Sequence, residues 1–180
     1  MRLFADYHTH TRYSHGRGSV WDNAVAARVR GLSEIAVADH GPANLFGVGV
    51  DSLATFAAIG REVKVANDRL EKVRILFAVE ANVVGKKGEL DIPTPMQETF
   101  DLVLAGLHIM VRPRSWCDAL GIAAKNMQGR ITGNTRAALV VNTDLLVAAV
   151  YNNRVAIVTH PGLKLPVDTA ELARACAATG

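Results

Sequence analysis

Six histidines and one glutamate fall where chemistry can be done. His8 and His10 close an apolar run, "RLFADYHTH" (2–10), and His15 stands a few residues into the following loop. His40 closes "EIAVADH" (34–40), Glu80 lies late in "RILFAVEANV" (74–83), His108 late in "DLVLAGLHI" (101–109), and His160 near the end of "RVAIVTHPG" (154–162). Neutral imidazoles and carboxylates are ligands for divalent Zn, Mn or Fe, ions that activate water for hydrolysis. Residues i and i+2 of a strand share a face, so His8 and His10 can grip one ion while Thr9 points away. Glu80 follows "ILFAV", and a carboxylate entering so apolar a strand needs a partner or a metal, because burying it bare costs several kcal/mol. An isolated His-x-His arises by chance, and a lone strand-end histidine is usually a hydrogen-bonded structural residue. A candidate ligand at or near the end of every run is the pattern of a metal site.

The elements that must position these residues are legible in the same runs. Between them lie helical patterns at 20–31, 52–71, 94–99, 135–151 and 168–178, the first opened by a capping-box-like "SVWD" at 19–22. Strands alternating with helices read as βα units, and near-continuous apolar runs such as "IAVAD" suit parallel strands covered on both faces. In such folds the loops at the C-terminal strand ends converge, so five distant segments meet in one cleft. Residues 110–134 mix Pro, Gly, Arg and Asn and read as a long excursion over the mouth with room for a helical turn.

Bulk properties bound the answer. The 180 residues, 49% hydrophobic and 21% charged, are expected to form a single domain over 1–180. The net charge of +3 comes from 20 scattered basic residues against 17 acids, so no nucleic-acid groove is implied. Cys117 and Cys176 form no motif and read as ordinary thiols of a reducing compartment. With no apolar leader and no long apolar stretch, neither a membrane span nor a membrane partner is expected, and the expected location is the cytoplasm. "GVGVD" (47–51) lacks the spacing of a dinucleotide fingerprint, and Ser14 and Ser33 sit in no nucleophile elbow. Trp21 and Trp116 read as a core anchor and a loop anchor.

The motifs "DYHTHTRYSHG", "AVADHGP", "VEANV", "AGLHIMV" and "VTHPG" resemble, in order, those of the PHP superfamily of polymerase and histidinol phosphatase domains, closest to its stand-alone bacterial phosphatase-like members. The resemblance implies an α/β fold, a distorted (β/α)7-type barrel here truncated to about five βα units, with a cleft of two to three divalent metal ions that hydrolyses phosphoesters. By motif match, one ion falls to His8, His10 and Glu80, a second to the bridging Glu80 with His108 and His160, and a third to His15 and His40. Members of this family normally continue through two more strands, the last ending in Asp-x-His. No Asp-x-His follows the fifth run of this chain, and Asp168 reads as a helix N-cap. The chain is therefore expected to be a fragment of a longer product, or to close its open barrel edge by self-association or an altered topology.

What the resemblance implies is hydrolysis of a small phosphorylated substrate such as histidinol phosphate by a metal-activated water, with His8, His10, Glu80, His108 and His160 as the catalytic group. Arg17 is the first choice for a phosphate clamp, ahead of Arg12, Lys86, Arg112 and Arg114. Asp6 and Asp39 are candidates for orienting imidazoles. The alternatives are a non-catalytic or impaired metal-binding domain, and a nuclease or proofreading module acting on nucleic acid.

Overall fold

The computed structural model describes residues 3–180. Runs rich in Val, Ile, Leu and Ala form β1 (Ala5–Thr9), β2 (Glu34–His40), β3 (Arg74–Asn82), β4 (Leu102–Gly106) and β5 (Ile157–Val158). They pair in parallel, in chain order, as one sheet. The helices are α1 (Val20–Val29), α2 (Thr55–Arg69), α3 (Thr94–Gln97), α4 (Trp116–Thr132), α5 (Arg136–Asn152) and α6 (Thr169–Thr179). Among the described residues no helix is long and apolar enough to cross a membrane.

The sheet is strongly curled. β1 and β5 are its two edges, and in a flat sheet four strand spacings of about 4.8 Å would hold them roughly 19 Å apart. Yet the rings of His8, in β1, and His160, just after β5, lie 5.7 Å apart. Curling crowds the concave face, which explains its small side chains: Ala36, Ala38 and Ala78 fill it with Leu76 and Leu104, and Tyr7, Leu102 and Ile157 close it. The convex face carries Ile35, Val37, Ile75, Val79 and Val103 against Phe56, Ile59 and Val63 of α2. Those three residues recur at helical spacing on one face of α2. The result is an α/β half-barrel of five parallel strands, the truncated barrel expected.

Local signals fix the helix starts. Asp22 N donates to Ser19 Oγ at 3.2 Å while Ser19 N donates to Asp22 Oδ2 at 2.8 Å, a full capping box on α1. Asp168 caps α6 by accepting from Ala170 N and Glu171 N, both at 3.0 Å, the role expected of it.

Four expectations are corrected. Residues 110–134 are not an irregular excursion but carry the 17-residue α4. Its glycines hide the pattern: Gly129 is no breaker but lets α4 approach Thr135, where a Cβ would stand 3.2 Å from the Thr135 Cα. The fourth and fifth runs extend as strands only to Gly106 and Val158, because β5 pairs on one side alone, through Leu104↔Ile157 and Ala105↔Val158. Trp21 is 42% exposed rather than a core anchor, since Val20, Ala24 and Ala27 are the buried face of α1. Trp116 opens α4 instead of anchoring a loop. Cys117 and Cys176 are free thiols.

Candidate metal centre

The sheet's C-terminal edge brings the expected ligands together around Glu80. This residue faces the concave side of β3 and is fully buried. Its Oε2 lies 2.9 Å from His8 Nε2, 3.4 Å from His10 Nε2 and 3.1 Å from His40 Nδ1. Its Oε1 lies 3.0 Å from His160 Nε2 and 3.4 Å from His108 Nε2, and accepts from Thr159 Oγ1 at 2.7 Å. His15 joins from the loop after β1, its ring 4.3 Å from that of His10 and 5.0 Å from that of His40. All seven residues line one cavity of about 630 Å³.

A bulge makes the first two ligands possible. Asp6 pairs with Ile35 and Thr9 with Val37, so β1 has one residue more than β2 across that interval. The extra residue lets Tyr7 pack into the concave core while His8, its neighbour, still reaches Glu80. Strict alternation would send one of them to the other face. The last ligand is held differently: His160 has a φ of 31°, a left-handed conformation rare outside glycine. His108 folds back over Gly106, where a Cβ would stand 2.4 Å from its ring.

One buried chain fixes the tautomer of His108. Asp91, held by Asn82 N at 2.8 Å and Ala43 N at 2.9 Å, accepts from Asn82 Nδ2 at 2.7 Å. The Asn82 amide therefore presents its oxygen to His108 Nδ1, 2.7 Å away, and that nitrogen must donate. His108 Nε2 then turns a lone pair toward Glu80 Oε1. Two acceptors facing each other are reconciled only by a proton or a cation. His10 Nδ1, His40 Nδ1 and His108 Nε2 are indeed buried without a hydrogen-bond partner.

Electrostatics prepare the lone pairs. Burial pushes the Glu80 carboxyl up, but His108, His8, His40 and the Thr159 hydroxyl outweigh it and hold the group well below the usual carboxylate range. Burial, reinforced by the surrounding imidazoles, lowers His10 to about 4 and His40 to about 3. His160 is lowered chiefly by burial, whereas the contact to Glu80 raises His8 despite burial. His10 and His40 are thus neutral at physiological pH.

The donors fit a divalent ion. Ligands at about 2.0–2.2 Å from a common metal stand about 3 Å from one another, and the Glu80 contacts together with His8 Nε2 to His10 Nε2 at 3.1 Å have that spacing. Among the described residues three groups qualify, each with ligand atoms within 4.8 Å: His8, His10 and Glu80; His40, Glu80 and His108; His10, His15 and His40. His40 thus reaches Glu80 and His108 as well as His15, a closer mixing than the motif match assigned.

The expected accessory residues fare differently. Arg17 is exposed and does not line the cavity; neither do Arg12, Lys86, Arg112 and Arg114. Arg12 turns toward Glu62, 3.4 Å away. The cation that does line the cavity is Lys164, on the turn after His160. Asp39 orients no imidazole: it accepts from Thr11 N at 2.7 Å and from the Thr11 and Ser14 hydroxyls at 2.6 Å each, tying down the loop that carries His15. Asp6 accepts from His8 N at 3.1 Å, a backbone contact. Sequence reasoning missed Asn82, Asp91 and Lys164. Asn82 alone left a trace, two residues beyond Glu80 and so on its face.

Comparison with known proteins agrees with the motifs. A probable phosphatase of Thermoanaerobacter sp. is 32% identical over 171 residues, covering 93% of this chain and 58% of that protein. One of Proteus mirabilis is 30% identical over 174 residues, covering 96% and 59%. The chain thus spans about three fifths of the length of these relatives. The histidinol phosphate phosphatase of Lactococcus lactis, solved with zinc, L-histidinol and phosphate, aligns at a TM-score of 0.38 and 15% identity, over 81% of this chain and 67% of that one. The sequence profile of the PHP domain matches residues 6–158, from the strand bearing His8 and His10 to the end of β5, and the chain accordingly belongs to the PHP domain family.

Proposed function

We propose that residues 1–180 act as one PHP domain that hydrolyses a small phosphomonoester with the help of two to three divalent ions, Zn, Mn or Fe. The observation that carries this reading is the buried carboxylate of Glu80, met by five imidazole nitrogens, two of which, His40 Nδ1 and His108 Nε2, are buried without a hydrogen-bond partner. His8, His10, His40, His108, His160 and Glu80 would hold the ions, with His15 at the rim. When bound, such ions supply Lewis acidity and lower the pKa of a water toward neutrality. The chain's own residues do the rest. Glu80 keeps its charge and shares it among the sites. Asn82 keeps His108 Nε2 free of its proton. Lys164 offers an ammonium group at the cavity wall for a phosphate oxygen, the role first expected of Arg17. Water adds across the P–O ester bond, and phosphate and an alcohol leave. The names of the relatives support a phosphatase, and the solved neighbour's contents make histidinol phosphate one substrate to try.

The test pairs metal content with turnover. Purified protein is expected to retain transition-metal ions and to hydrolyse p-nitrophenyl phosphate in added Mn or Zn, while a His8→Ala, His10→Ala variant loses both properties. Protein that takes up no metal after reconstitution overturns the reading. Metal uptake without turnover selects a second reading, a non-catalytic metal-binding domain. The outer edges of β1 and β5 are unpaired among the described residues, which favours self-association there. Light scattering reads it out as a dimer mass. A cytoplasmic setting suits the free thiols.

A further inference from the structure

We infer that the metal cavity continues into an apolar side cleft under α4 that receives the alcohol part of the phosphoester, so that the substrate is the phosphomonoester of an apolar, ring-bearing alcohol. This rests on the phosphatase reading above and adds the substrate class to it.

The cleft holds about 290 Å³. Since an apolar void of about 150 Å³ accommodates benzene, two fused rings fit. Val83 and Val84 wall it from the loop after β3, Leu107 and Ile109 from the loop after β4, and Trp116 and Leu120 from α4. Leu107, His108 and Ile109 also line the metal cavity, so a group seated in the cleft is one His108 ring away from the metal ligands. The two cavities thus meet at Leu107, His108 and Ile109, and the alcohol part of an ester whose phosphate lies between the ligands and Lys164 would reach the cleft past the His108 ring.

The walls choose among alcohols. No Asp, Glu, Lys or Arg lines the cleft among the described residues. Its two amides are already spent: Asn126 Nδ2 donates to Asn142 Oδ1 at 3.0 Å and to Ile122 O at 3.0 Å, and Asn142 Nδ2 donates to Asn126 Oδ1 at 2.9 Å and to Pro166 O at 3.0 Å. Each amide has two N–H donors and both are used. A sugar entering here would surrender water from its hydroxyls without replacement, whereas a ring system gains by leaving water. Trp116 and Leu120, 69% and 68% exposed, stand at the rim, where such a ring would cover them.

The experiment compares 2-(1-naphthyl)ethyl phosphate with glycerol 3-phosphate, two alkyl esters with comparable leaving groups, on the metal-loaded protein, and measures binding of 1-naphthol itself by calorimetry. The naphthyl ester is expected to have the higher kcat/KM by about tenfold or more, and 1-naphthol to bind. Ala119→Phe, which puts a ring into the cleft from α4, should remove both the preference and the naphthol binding. Trp116→Ala, at an exposed rim position that folding tolerates, should reduce both. Ile131→Ser, on exposed α4 surface outside the cleft, should change neither. Equal turnover of the two esters, or a preference that survives Ala119→Phe, overturns the inference. If neither ester is hydrolysed, the phosphatase reading falls by itself: naphthol binding that Ala119→Phe abolishes still supports the cleft, and no naphthol binding overturns it.

Discussion

The Asn82 side-chain oxygen stands 2.7 Å from His108 Nδ1, and its own amide nitrogen is committed to Asp91. Among the described residues Asn82 hydrogen-bonds no other member of the metal cluster, yet it decides which nitrogen of His108 can bind an ion. Partners of this kind typically contribute 10–100-fold in metal affinity. Asn82→Leu, close in volume and unable to accept a hydrogen bond, should weaken zinc binding by about that factor, measured by competition with a chromogenic chelator. The strand should survive, so circular dichroism should be unchanged. Unaltered zinc affinity would show that the tautomer is fixed by something other than this contact.

Gly41 supports the same chain from behind. A Cβ at this position would lie 2.3 Å from the Asp91 carboxylate, which three donors hold in place and which cannot withdraw without losing them. Displacing a buried carboxylate from its donors costs about 1–3 kcal/mol. For a chain of this size that is about 2–12 °C of melting temperature. Gly41→Ala should therefore melt earlier in the metal-free state and bind zinc less tightly, because Asn82 loses its anchor. A variant that melts like the parent would place Asp91 elsewhere.

The sequence was most legible where one physical constraint dominates. Buried parallel strands demand continuous apolar residues, so β2 and β3 match their runs, and a histidine or glutamate ending such a run stands out. What escaped depends on contacts across the fold. The β1 bulge is set by pairing with β2, and Tyr7 and His8 look like an ordinary alternation in the chain. α4 was hidden because Gly121 and Gly129 lower helix propensity while packing against α5 decides the matter. Arg17 lies two residues from His15 and Lys164 four from His160, so spacing ranks Arg17 first. The path of each loop reverses the order.

Metal-free stability should fall as the pH drops from about 7.5 to 5. In the folded chain His10 and His40 titrate at about 4 and about 3, against 6.5 when unfolded. Between these values the unfolded chain binds more protons, so stability rises with pH and is lost on acidification. His160 shares this sign. His8, raised by Glu80, has the opposite one: its contribution is present below 6.5 and is lost as the pH rises through its folded value. The lowered Glu80 carboxyl stabilises the fold above its unfolded value of 4.5, so it is silent in this window. A tenfold change in proton affinity corresponds to about 1.4 kcal/mol, and the net loss across the window is on the order of 2 kcal/mol. Thermal melts in chelator across this range check it, and His40→Asn should flatten the slope. A flat profile in the parent chain would mean that these rings are not buried neutral.

Lys164 and Arg17 separate two ways of holding a phosphate. Lys164 lines the cavity with all seven candidate ligands, on the turn where Leu163 N donates to His160 O at 3.0 Å. Arg17 is exposed outside the cavity. A charge-assisted hydrogen bond to phosphate contributes about 1.5–3 kcal/mol, equivalent to about 10–150-fold. With p-nitrophenyl phosphate, Lys164→Ala should therefore raise KM or lower kcat/KM by a factor in that range, and Lys164→Arg should restore part of it. Arg17→Ala should leave both parameters near those of the parent. Inorganic phosphate, as a competitive inhibitor, should lose affinity in the first variant alone. If Arg17→Ala is the damaging change and Lys164→Ala is silent, the loop after β1 must close over bound phosphate and supply the cation itself.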